Sequence, residues 1–422
     1  MLDVLRVPGF ALLLGGNLVS SLGSWLLVVA VPYHVFQLTG SAGATGLTLA
    51  AESLPALLAG PFAGVLVDRW DRRTVMIVTD IVAAVALLGL PLADRPDRLG
   101  WLYAALVLES LALVLFRPAA RALLPAVVGT GPALATANSL IAVNGGIVRL
   151  AGPPLGALLF TWFGLPALVL ADLASYLVSA LAIALIGRRA ATRSGRTVRG
   201  VLVGLSHTFG HRPLRGLLLV TWTFWTANAV FAALLIPFMT LRFGDHPGTI
   251  GVQLSALGAG YLVGGPVGGR FVRDRPPGLP LALGLAGVGA CFAVLATATS
   301  VPVAVAATGV AGLPGSLLLV ASETAIQRAT PDELRGRVGA VFFASDAAAA
   351  LAGALLGAGL GSTVRVSVVL TTSAGVILAL AVVAPRLVRW SDRIILNSPV
   401  TSEDGRFAAQ RPKPGSARKV PD

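Results

Sequence analysis

Twelve apolar runs, most of them around 20 residues or longer, follow one another along this 422-residue chain. Nothing else in the sequence narrows the fold as much. About 20 consecutive apolar residues are what a helix needs to cross the hydrocarbon core of a bilayer. In lipid only helices and closed barrels satisfy their own backbone groups. A barrel strand alternates apolar and polar residues over about ten positions. These runs are continuous, and rich in the Leu, Ala, Val and Gly that suit close helix packing. The expected fold is therefore all-α and membrane-embedded. Spans are expected at 10–37, 43–67, 74–93, 100–120, 134–161, 165–187, 214–241, 248–272, 278–298, 301–326, 336–360 and 365–388. The fifth and sixth are separated only by "TWFGLP", a break that rests on Gly164 and Pro166.

Charge is scarce, at 12% of residues, and it is placed unevenly. The net charge of +13 does not mark a nucleic-acid binder, because the arginines sit in short loops at alternate span ends. With the N-terminus inside, the outer loops hold only Arg95, Arg98, Arg242 and Arg365 of 32 basic residues. Both termini are thus expected on the cytoplasmic side. The stretch from Gly187 to Arg215 carries seven Arg and no acid, and serves as a linker (191–212) between two halves, 1–190 and 213–390. A topology anchor is its simple reading, and binding of anionic lipid headgroups the functional alternative. Residues 391–422 have the Pro, Ser, Arg and Lys content of a disordered tail. No cleavable signal peptide is apparent: the first run is too long for one. Cys291 has no second cysteine to bridge, and reads as a small apolar residue.

The halves repeat. At an offset of 205, "GPFAGVLVDR" (60–69) falls on "GPVGGRFVRD" (265–274), and a similar offset brings Pro125 onto Pro331. Two six-helix units of like orientation are the plan of many secondary transporters.

The most polar break lies between the second and third spans: Gly64-Val65-Leu66-Val67-Asp68-Arg69-Trp70-Asp71-Arg72-Arg73. It resembles the loop 2–3 signature of the major facilitator superfamily, Gly-x-x-x-Asp-Arg-x-Gly-Arg-Arg, with Asp71 where most relatives have Gly. The resemblance covers about residues 5–390. "QLTGSAGATGL" (37–47), "RPAARALLP" (117–125), "LATANSL" (134–140) and "PDELRGRV" (331–338) look like its drug and siderophore exporters. Gly152, Pro153 and Gly156 resemble the Gly-Pro-rich fifth helix of its antiporters, which implies export; a kinked packing helix is the structural alternative. The resemblance also implies that Asp68 contacts the start of the eleventh span, near Gly336–Gly339, when the cavity faces outward. Physically, Arg69, Arg72 and Arg73 hold the loop inside. A helix start favours an acid, and Arg72 and Asp80 would complete a latch between the halves.

Charge within spans marks function by default, because it is expensive there. Glu52, Glu109 and Asp346 are candidate proton carriers. Arg149 and Asp172, on consecutive antiparallel spans, are expected to pair. Arg117 and Glu323, nearer the span ends, suit a cytoplasmic gate. Trp222, Trp225 and Asn228 are candidates for a substrate cavity, with packing as their alternative role, and His34 can titrate near neutrality. No HExxH, phosphate-binding loop or metal spacing occurs, so neither an enzyme nor a cofactor is expected. No segment is long enough to hold an ATPase. The expectation is a monomeric, proton-coupled exporter of small organic molecules that works by alternating access in contact with membrane lipids. The rivals are an importer of the same fold and a transport-inactive receptor or scaffold.

Overall fold

The computed structural model describes residues 2–67, 69–129, 131–187, 198–244, 247–273, 275–331 and 334–388. Among these the chain is helical. A short 3-10 turn, Leu2–Arg6, leads into α1 (Pro8–Thr39), α2 (Ala42–Val67), α3 (Arg72–Leu87), α4 (Leu99–Val128) and α5 (Pro132–Leu185). Then come α6 (Val198–Gly210), α7 (Arg212–Phe243), α8 (Pro247–Arg273), α9 (Gly278–Thr297), α10 (Val301–Ala329), α11 (Arg335–Thr363) and α12 (Val366–Leu387). Ten helices are long and apolar enough to cross a membrane. Among them, α5 breaks into two arms at Gly164, whose φ of 69° and ψ of 179° are not helical. Pro166 follows at once, so both residues named for the break act there. The arms supply an eleventh crossing, and α3 with its buried extension at Leu90 and Ala93 the twelfth.

Local chemistry sets several ends. Pro8 opens α1 where a missing N–H does no harm. Gly40 closes it at a φ of 62°, donating its N–H to the Phe36 carbonyl at 2.7 Å. α3 ends at Leu87, short of the expected 93, where the chain tightens into turns held by successive carbonyls. α4 runs on to Val128, so Pro125 lies inside a helix, whereas its repeat mate Pro331 lies between helices. The expected linker contains α6, an unforeseen 13-residue helix. The expected tail, 391–422, lies outside the described residues.

The repeat is visible in the elements. α1 and α7 have 32 residues each, and an offset of 205 carries the start of α2 onto that of α8. The first arm of α5 matches α11, and its second arm matches α12. Residues Met1–Val388 nevertheless form one compact unit, because the halves are joined along α2 with α11 and along α5 with α8. Small residues make these seams. A Cβ on Gly46 would come within 2.9 Å of Ala358 Cβ, and one on Gly251 within 2.7 Å of Ala157 Cβ. These positions lie at the end away from the basic loops. Towards the basic end the contact thins: Gly145, Gly265, Gly269, Gly336 and Gly339 have no side-chain or neighbouring-helix atom within 4 Å of where a Cβ would stand.

Candidate functional site

Four helical stretches bring polar side chains together in the first half. Asp172 and Tyr176 lie one helical turn apart on the second arm of α5, so they share a face. That face is packed against α1: Gly23 lies so close to Asp172 and Ser175 that no larger residue fits. Tyr176 donates its hydroxyl to Glu109 Oε1 of α4 at 2.8 Å, and Ser24 Oγ of α1 stands 3.0 Å from the same hydroxyl. Glu52 of α2 lies within electrostatic reach of Glu109, and Ser110 Oγ donates to the Glu52 carbonyl at 2.5 Å. Asp172 is fully buried; its Oδ1 accepts from Ser175 Oγ at 2.9 Å, and its Oδ2 has no hydrogen-bond partner. Glu109 also faces the Asp172 charge. Three carboxylates therefore share one polar cluster, and no cation is ion-paired to any of them. Like charges at such range resist simultaneous ionisation, and protons are the simplest way to relieve them.

The Arg149–Asp172 pair expected from sequence is not made. Arg149 turns the other way, with its guanidinium 5.9 Å from the centroid of the Trp25 ring, on the side of α5 that meets α8. Span height was readable, but rotation about the helix axis was not. Tyr176 and Ser24 were missed altogether, although the four-residue spacing of Asp172 and Tyr176 on one face was there to be read. The Arg117–Glu323 gate is not formed either. Both side chains are exposed, Glu323 accepts from Gln327 Nε2 at 3.1 Å, and Arg117 faces Arg121, Arg149 and Tyr176 instead. The two belong to α4 and α10, in opposite halves.

The polar break between α2 and α3 is built differently from a simple latch. Arg72 is buried and donates to the Ala122 carbonyl of α4 at 2.9 Å. Arg73 donates from Nε to the Ile183 carbonyl at 3.1 Å and from Nη2 to the Ala184 carbonyl. Cations on the last carbonyls of a helix offset its negative end. These contacts tie α3 to its own half, not across the molecule. Asp80 is buried against Ser179 of α5, with its Oδ2 unpartnered. Gly64 is half-buried and Arg69 exposed; Asp68 lies outside the described residues. The intended receiver, the start of α11, has no side-chain cap, and Gly336 and Gly339 there face open space.

Gly152 and Gly156 admit α1: a Cβ on Gly152 would meet Trp25 Cβ, and one on Gly156 would strike the Leu26 backbone. Pro153 faces the opposite neighbour, its carbonyl 2.9 Å from where a Gly251 Cβ of α8 would stand. The motif thus sits in two packing contacts at once. In the other half, Trp225 and Asp346 line a common cavity between α7, α10 and α11, which Trp222 and Asn228 do not reach. His34 Nε2 lies 3.4 Å from the Ala93 carbonyl, where it ties α1 to the α3–α4 connection. Among the described residues no cluster of His, Cys, Asp and Glu could hold a metal.

Known proteins resemble this chain throughout its length. Residues 2–395 match the family described as transmembrane secretion effector. The multidrug efflux pump Tap of Mycobacterium tuberculosis is 29% identical over 372 residues, covering 83% of this chain and 86% of the relative. Macrolide efflux protein A of Streptococcus pyogenes is 26% identical over 267 residues, 61% of this chain and 65% of the relative. The solved nucleoside transporter NupG superposes with a TM-score of 0.74 at 13% identity, covering 91% of this chain and all of that one (100%). A bacterial homologue of the lysosomal transporter Spinster gives 0.69 at 14% identity, with 91% and 98% covered. These structures share its fold.

Proposed function

Because the chain belongs to the transmembrane secretion effector family of major facilitator transporters, we propose that it is a proton-driven exporter of small organic molecules, drugs or siderophores among them. It is a multi-pass membrane transporter and not an enzyme. Its relatives' efflux activities support the direction of transport. The arginine distribution supports a place in the cell membrane with both termini cytoplasmic.

One observation carries the coupling: the Glu52, Glu109 and Asp172 carboxylates gathered around the Tyr176 hydroxyl with no ion-paired cation. A proton entering this cluster relieves repulsion between its members. Its loss restores charge that must find a counter-ion or expel one. The helix seams tighten at one end and thin towards the basic end, which supports a cavity facing the cytoplasm in this conformation. Residues 1–190 and 213–390 then rock against each other to turn it outward. Asp68 engages the start of α11 in that other state.

The test is drug-dependent collapse of a proton gradient in inverted membrane vesicles. Glu109→Gln lowers proton-coupled transport by at least about tenfold while substrate exchange without a gradient survives. Tyr176→Phe, which leaves the carboxylates but removes their shared donor, gives an intermediate loss. Full gradient-driven transport by both Glu52→Gln and Glu109→Gln would rule out this coupling site.

A further inference from the structure

A second polar site lies in the other half. A cavity of about 460 Å³ opens between α7, α10 and α11, within the roughly 300–1,000 Å³ of ordinary ligand pockets. Its wall carries two carboxylates, Glu323 and Asp346, together with the rings of Phe224, Trp225 and Phe342 and the hydroxyl of Thr221. Asp346 Oδ1 is enclosed and has no hydrogen-bond partner. Glu323 receives only a neutral amide, from Gln327. The two acids are close enough for their charges to repel, and none of the residues lining the cavity is basic. Phe224 and Trp225 meet edge to face with ring centroids 5.4 Å apart, which fixes the aromatic side of the pocket.

We propose that this pocket is the substrate-recognition site, and that it takes a monovalent organic cation with a flat or bulky apolar body. The inference rests on the exporter reading above and names the class of molecule carried. The charge balance of the wall is negative and unmet, so it excludes anions. A hard metal ion needs six or more oxygen ligands, and two carboxylates flanked by rings do not supply them. A soft cation is suited on both counts: the carboxylates meet its charge, and aromatic faces attract it through their quadrupoles while covering its apolar surface. The Glu52–Glu109 cluster has no such aromatic wall among its contacts, which divides the labour: proton in one half, substrate in the other.

The experiment uses two probes of nearly equal shape and opposite charge, tetraphenylphosphonium and tetraphenylborate, with the purified full chain in nanodiscs. The wild type binds the phosphonium and not the borate. Asp346→Asn weakens phosphonium binding at least about tenfold, Trp225→Ala weakens it, Asp346→Glu retains it, and Glu109→Gln leaves it unchanged. Thermal unfolding of Asp346→Asn close to that of the wild type identifies the loss as local; if that variant does not fold, Glu323→Gln and Trp225→Ala carry the same reading. Equal binding of both probes, or phosphonium binding untouched by Asp346→Asn, overturns the proposal. The two readings fail separately. Asp346-dependent binding without expulsion from vesicles leaves the site standing and removes the exporter. Expulsion of neutral compounds together with Asp346-independent binding does the reverse.

Discussion

Asp71 stands where the signature it resembles usually has glycine, and the structure gives it a job. It is the N-cap of α3, with extended backbone, accepting from the Thr74 N–H at 3.0 Å and the Thr74 hydroxyl at 2.8 Å. Asp71→Ala should therefore cost about 0.5–2 kcal/mol of stability, Asp71→Gly only a few tenths, and Asp71→Asn very little. Thermal unfolding of the purified variants checks the order. This residue also shows how far single positions could be read. Its charge and place at the start of a span were plain, but its partner is a backbone group three residues on, which depends on where the helix begins. Asp172 teaches the same lesson. Its depth was legible and its neighbour was not, because Gly23 lets α1 approach on the face that Arg149 does not share.

At the scale of elements, packing is decided by where a side chain is missing. Gly156→Leu forces a side chain into the Leu26 backbone and should abolish a folded product, whereas Gly145→Ala, with open space around it, should be close to neutral. Yield and monodispersity after solubilisation separate the two. The long helices were legible because length and apolarity alone define a span. α6 was not, because it is short and sits among arginines; what holds it is tertiary, Gly204 packed against the Arg337 backbone of α11. Near its end His207 stacks on His211 with centroids 4.0 Å apart, and His207 Nε2 is buried without a partner. Burial, and then the neighbouring His211, hold His207 below its ordinary 6.5. A histidine depressed on folding favours the folded arrangement above its unfolded pKa and loses that contribution as pH falls. Acidification below about pH 6 should thus loosen α6 from α11. An environment-sensitive probe at Ser206→Cys in a Cys291→Ser background reads this, and His207→Gln should flatten the response.

For the whole molecule, the repeat was readable from a few Gly and Pro positions, while the way the halves meet was not, since seams between them are made of residues with nothing to signal. Those seams allow a direct test of movement. A Cβ on Gly43 would lie 3.8 Å from Ser362 Cβ, inside the roughly 3.5–4.5 Å that a disulfide spans. Gly43→Cys with Ser362→Cys, in the Cys291→Ser background, should cross-link α2 to α11 on oxidation and stop turnover, and reduction should restore it. Free transport by the cross-linked protein would mean that this end never opens. The make-up of the seam has a further consequence. Gly43, Gly46, Ala358 and Ser362 meet almost backbone to backbone, so parting them resets few rotamers and pulls no side chain out of a socket. A joint this smooth has little internal friction, and the pace of switching is left to lipid and cargo. It also makes the seam a target in its own right: a thin, flat molecule wedged between α2 and α11 would jam the transporter whatever it was carrying.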